Sequence, residues 1–259
     1  MAILLCFLFF LLSSATACDH CVHQSKVSYF SKTSALSKGA CGYGSLALGL
    51  GSGHIAAAVP SIYKNGAACG GTCFQVRCKN RALCSRKGTR VIVTDLNHNN
   101  KTDMVLSRRA FRALANKGMD KEIFKQRAVD VEYIRVPCEY KHHNLAVRVE
   151  ESSKNPNYLA IKVLYQGGKT EILGVVLSEY GSPVRVDMRR KFGAVWETDR
   201  APKGPLQFGF PIVQGFDVKW IWAKNPVPAD WKIGVTYDTG VQITDVDFTD
   251  GCAECGPWN

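Results

Sequence analysis

The chain has 259 residues, a formal net charge of +11 and eleven cysteines, which allows two domains of ordinary size, each able to bury a core. The charge is uneven: residues 18–138 hold 19 Lys and Arg against 7 Asp and Glu, whereas residues 139–259 hold 14 against 15. The basic half would attract polyanions, and only the extreme N-terminus has a long apolar run, so no later segment is expected to span a membrane.

Residues 1–17, MAILLCFLFFLLSSATA, are an apolar core followed by a small-x-small site. That pattern is a secretory signal peptide without the usual basic start. The core is too short for a typical membrane span. Cleavage would leave a chain starting at Cys18, secreted and extracellular, with ten cysteines once Cys6 is removed. An even number in an oxidising compartment implies up to five disulfides. The run Cys69, Cys73, Cys78 and Cys84 could ligate zinc, but secretion and the lack of matched CxxC pairs within it favour disulfides. Cys18 with Cys21, and Cys252 with Cys255, form two CxxC pairs near the ends. No thioredoxin-like context surrounds them, so they are expected to staple the termini, with their pairing open.

Further along, residues 91–93 and 129–136 are predicted strands. Between them Ser107 caps a predicted helix carrying Phe111, Leu114 and Ala115, ended by Gly118. A boundary is expected near Pro137 and Cys138, giving a first domain over 18–140 and a polar linker over 141–144. The second domain, 145–259, contains short strand-like runs at 145–150, 158–165, 171–177, 194–198, 206–213, 219–223, 235–237 and 241–248. Turn residues interrupt most of them and no helix is convincing, which predicts a β-sandwich.

The stretches GACGYGSLALG (39–49), CFQVRCKN (73–80), VTDLNHNNKTD (93–103), YIRVPCEYK (133–141), NLAVRVEESS (144–153), GAVWET (193–198) and PADWK (228–232) resemble plant expansins, most closely the expansin-like A branch. The resemblance implies an all-β protein: a six-stranded double-psi β-barrel related to family-45 glycoside hydrolases, followed by an immunoglobulin-like β-sandwich. It also implies the bridges Cys41–Cys69, Cys73–Cys138 and Cys78–Cys84.

Glycosidic hydrolysis needs two carboxyl groups, and by pattern alone Asp95 and Asp103 are the candidate pair. Asp95 follows an apolar strand, where it could equally cap a turn. In the family a further Asp follows the TDxN segment and is held equivalent to the hydrolase's acid. The aligned position here is Val105, which cannot donate a proton. Asp95 matches the Asp that the family retains, and Ser28 matches a groove Thr or Ser. Tyr43, in the glycine-rich turn, could line the same groove. The resemblance therefore implies a protein that is not an enzyme.

Sugar rings stack their apolar faces on aromatics while hydroxyls bond polar neighbours. Tyr158 matches one family aromatic, and Phe192 and Trp196 lie where others occur, although Trp196 could equally be core. Trp220 and Trp222 share one strand face and could be core or surface. Asn100 heads an Asn-Lys-Thr sequon beside Asp95 and Asp103, so a glycan is expected there. The histidines show no metal spacing, no cofactor motif is present, and secretion argues against nucleic acid as a partner.

The expected function is a monomeric, secreted cell-wall protein that binds wall polysaccharide (cellulose, xyloglucan or acidic matrix glycans) and loosens it without hydrolysis. Two alternatives are a binding protein without loosening activity and a weak residual glycosidase.

Overall fold

The computed structural model describes residues 21–30, 39–99, 101–215 and 217–244. The predicted signal peptide, Cys18, Cys252, Cys255, Asn100 and the end of the last strand-like run lie outside them. Cys21 is disulfide-bonded.

The first domain is a closed barrel of six strands: β1 (His23–Tyr29), β2 (Ile55–Ala58), β3 (Cys73–Cys78), β4 (Thr89–Leu96), β5 (Met104–Leu106) and β6 (Ala128–Val136). Around the barrel the order is β1-β5-β2-β4-β3-β6. β1 runs parallel to β5, and β2 parallel to β4. Alternation in β6 turns Val129, Val131 and Tyr133 inward and leaves Asp130 exposed. Closure removes the sheet edges that would otherwise need covering.

Among the described residues, three short α-helices decorate the barrel, α1 (Pro60–Tyr63), α2 (Arg108–Ala113) and α3 (Asp120–Lys125). Ser107 caps α2 by accepting from the Ala110 amide at 3.2 Å. The helix ends well before Gly118, because Ala115 turns away to bridge Cys84. Three disulfides link Cys41 to Cys69, Cys73 to Cys138 and Cys78 to Cys84. The cysteines read as a possible zinc cluster are therefore consumed in bridges.

The second domain holds β7 (Ala146–Val149), β8 (Leu159–Leu164), β9 (Val175–Glu179), β10 (Arg185–Phe192), β11 (Val195–Thr198), β12 (Leu206–Gln214), β13 (Asp217–Trp222) and β14 (Thr236–Asp238). They form one curled sheet in the order β13-β12-β9-β10-β11-β8-β7-β14. β10 turns the corner: residues 185–188 pair with β9, and the following residues pair with β11 across an irregularity. The two halves enclose one core that contains Trp196, Phe208, Phe210 and Trp231.

Two of the predicted runs shift. Residues 171–174 lie outside β9, with Ile172 making only an isolated bridge to Ile212, and residues 241–244 are not strand. β10 has no counterpart in the sequence reading: its outward positions are Arg185, Asp187, Arg189 and Lys191, so it reads as a charged loop.

Candidate functional site

The barrel ladder sets a row of four residues across neighbouring strands. Ser28 pairs with Val105, Val105 with Ala57, and Ala57 with Asp95. Partners in a ladder share a face. Met104 and Leu106, on either side of Val105, are fully buried in the barrel, so the row faces outward and forms a shallow floor. Within that row Asp95 is the one carboxylate.

The Asp95 carboxylate is already bonded. Its Oδ1 accepts from the Ala40 amide at 2.6 Å and the Leu96 amide at 2.8 Å. The Tyr63 hydroxyl donates to the Ala40 carbonyl at 3.0 Å. Burial raises the Tyr63 hydroxyl pKa, and the Asp95 charge adds to that shift. Asp95 thus anchors the loop at residues 39–43 to the end of β4.

Asp103 takes a different partner, accepting from the Tyr133 hydroxyl at 2.9 Å. Ser28 Oγ lies 3.4 Å from Thr102 Oγ1. Buried Asn97 pins the intervening loop by donating to the carbonyls of Asn99 and Thr102. The two aspartates therefore hold separate pieces of backbone and barrel.

Tyr43 lies elsewhere than the groove. It is buried between the domains, and its hydroxyl donates to the Val163 carbonyl of β8 at 3.4 Å. Burial pushes its hydroxyl pKa well up. A Cβ at Gly70 would fall 1.7 Å from that oxygen, so glycine makes the room. The sequence placed Tyr43 in a glycine-rich turn but could not show which side of the turn the ring takes.

The same loop joins the second domain. The Ala194 amide donates to the Cys41 carbonyl at 3.1 Å. Arg190 donates to the carbonyls of Gly66, Gly193 and Ile172 and lies 4.1 Å from the Trp196 ring centroid. Glu171 pairs with Lys64 at 2.8 Å and with Arg135 at 3.5 Å. Phe192 packs at Gly42, where a Cβ would meet its ring at 2.7 Å, yet remains 48% exposed.

Phe192 is thus linked to Asp95 through the 39–43 loop. Next along β10, Lys191 donates to the Tyr158 hydroxyl at 3.0 Å, and Tyr158 donates to Glu197 at 2.5 Å. Glu197 also pairs with Lys191 at 2.8 Å and with Arg189. Burial pushes the Glu197 carboxyl pKa up, but the bonds from Lys191 and Tyr158 outweigh it, so the net shift is downward. Tyr158, Asp187, Arg189 and Glu197 help line a cleft of about 310 Å³. Trp196, by contrast, is 4% exposed and belongs to the core. Its neighbour Glu197 lies on the other face of the strand but is 2% exposed, covered by Arg189, Lys191 and Tyr158; sequence reasoning missed it, since its pairing with Arg189 follows from β10, which also went unread.

Comparisons with known proteins agree with this architecture. Residues 145–228 match the family model of the expansin C-terminal domain, and residues 55–133 match one described as lytic transglycolase. Expansin-like A2 of Arabidopsis thaliana is 58% identical, covering 95% of this chain and 94% of its own. The chain belongs to the expansin family, among its expansin-like A members. Expansin-like A1 of the same plant is 55% identical, covering 97% of this chain and 96% of its own. Among solved structures, an apo expansin of Clavibacter michiganensis superposes with a TM-score of 0.66 at 20% identity. It covers 87% of this chain and 99% of that one. A point mutant of that bacterial protein, crystallised in complex with cellohexaose, matches equally well.

Proposed function

We propose that this expansin-like protein is secreted to the cell wall and binds a polysaccharide chain along one surface. That surface runs from the Ser28–Asp95 row over Phe192 to Tyr158, and the chain is held without being hydrolysed. The continuity from Asp95 through the 39–43 loop to Phe192 carries this reading. Aromatic rings offer faces to pyranose C–H groups, while Lys191 and Arg189, held in place by the buried Glu197, offer hydrogen bonds to hydroxyls. The cellohexaose complex of the bacterial neighbour supports a β-glucan as ligand.

The floor is poorly equipped for hydrolysis. Val105 and Asp95 are two strand spacings apart, about 10 Å, close to the separation of an inverting carboxylate pair. With valine at one end, the position that would protonate the leaving group has no proton to give. Asp103 is engaged by the Tyr133 hydroxyl, which disfavours a residual glycosidase. Binding that competes with glucan–glucan contacts would loosen the wall without covalent change.

A second reading, binding without loosening, is favoured by one observation: Asp95 spends its carboxylate on two backbone amides. Creep of heat-inactivated walls under constant load separates the two, with soluble sugar assayed in the same bath. Extension without sugar release, reduced by Asp95→Asn, supports loosening. Retention on the wall without extension makes this a binding protein, and sugar release overturns both readings.

A further inference from the structure

A second aromatic surface lies on the far half of the sandwich. β10 spans seven residue steps from Arg185 to Phe192, about 23 Å, and Arg185 sits at the end remote from the barrel. Ile221 of β13 packs against the core, so alternation turns Val218, Trp220 and Trp222 to the outside. This face meets the one carrying Tyr158 at the corner strand β10, whose outward Asp187 also lines the Tyr158 cleft.

The ladder places Asp187, Val176, Gly209 and Trp222 in one outward row. Gly209 makes room for the indole: a Cβ there would come within 2.7 Å of the Trp222 ring. Trp222 therefore lies down on the sheet. Trp220 stacks with it, ring centroids 5.7 Å apart and planes 13° apart. Trp220 remains 42% exposed, and Val218 beside it 53%. The Arg185 guanidinium lies 4.8 Å from the Trp222 ring centroid and 5.6 Å from that of Trp220. Among the described residues Arg185 makes no ion pair or side-chain hydrogen bond.

We propose that Trp220, Trp222 and Arg185 form a second glycan site, selective for an acidic pyranose. The exposed indole supplies the stacking face. The guanidinium, aligned by the rings rather than by a carboxylate, has donors to spare for a sugar carboxylate, which it can grip in bidentate fashion. With the Tyr158 site farther along the outer side of β10, one domain could hold two different wall polymers. The proposal does not depend on the Tyr158 site.

The test is site-resolved, because bulk affinity for a polyanion would also report the basic barrel. Indole N–H resonances of the full mature chain are followed during titration with oligogalacturonate, with cellohexaose as the neutral control. Trp220→Phe assigns the signal, and the buried Trp196 and Trp231 serve as internal references. Trp220 and Trp222 should shift with oligogalacturonate, weaken with added salt, and lose on the order of tenfold in affinity in Arg185→Gln. If oligogalacturonate moves neither indole, the site is refuted. Shifts with cellohexaose alone would refute the acidic selectivity. A lower melting temperature in Arg185→Gln at unchanged affinity would make the stack a structural ladder, which also ends the proposal.

Discussion

The barrel closes its sheet and holds three internal disulfides besides the bridge at Cys21, whereas the sandwich has no disulfide among the described residues and relies on a core of large aliphatic and aromatic side chains. The barrel core includes small residues, among them Ala47, Ala56, Ala58, Ala68 and Ala110. Small side chains bury less apolar area each, and cross-links restrain the unfolded chain instead. The difference extends to function. The barrel spends its polar groove residues on holding loops, while the sandwich leaves aromatic rings and charged groups open at its surface.

Four measurements would break or sharpen that contrast. Trp196→Ala should be the most damaging, costing about 3–5 kcal/mol through the cavity it leaves. Urea unfolding followed by hydrogen exchange should show the loss centred on the sandwich; a loss spread equally into the barrel would mean that the domains share one core. Removing the Cys73–Cys138 bridge by replacing both residues with Ser should cost about 2–5 kcal/mol. Barrel amides should lose protection first, because the bridge ties β3 to the segment after β6.

Replacing Tyr158 and Phe192 together with Ala should weaken glucan binding by roughly tenfold, as expected for the loss of aromatic contacts worth about 1 kcal/mol or more. The melting temperature should fall only modestly, since Phe192 is exposed, while Tyr158 also gives up a bond to the buried Glu197 that Lys191 and Arg189 still hold. Isothermal titration with cellohexaose checks this.

The smallest effect concerns pH. Glu197 is held below its ordinary value by Lys191 and Tyr158 despite its burial. Its contribution is therefore fully present above the unfolded-state value of about 4.3 and is lost as pH falls through the lower folded value. Wild type should lose its advantage over Glu197→Gln on acidification below about pH 4. Paired melting curves from pH 6 downward would show it, and parallel curves would mean that Glu197 contributes no linked stability.

Much of the architecture was legible in the residues. Alternation in β6, the Ser107 cap and the short strands of the second half are local patterns, and each has a local cause. Glu197 and β10 were not legible, because a strand whose outward side chains are all charged has the composition of a loop. Its partners β9 and β11, which supply its backbone bonds, become evident only in three dimensions.

By itself, the sequence determined the number and positions of the cysteines, the basic first half, the strand periods of the sandwich and the absence of a carboxyl group at position 105. These are properties of residue type and spacing. Only the tertiary structure decided which aromatics meet solvent. Tyr43 and Trp196 go inward while Phe192 and Trp220 stay out, because a ring's side depends on strand pairing and on the glycine opposite it. Tertiary structure also joined Asp95 to Phe192, residues nearly a hundred positions apart, through a loop that bonds to both domains.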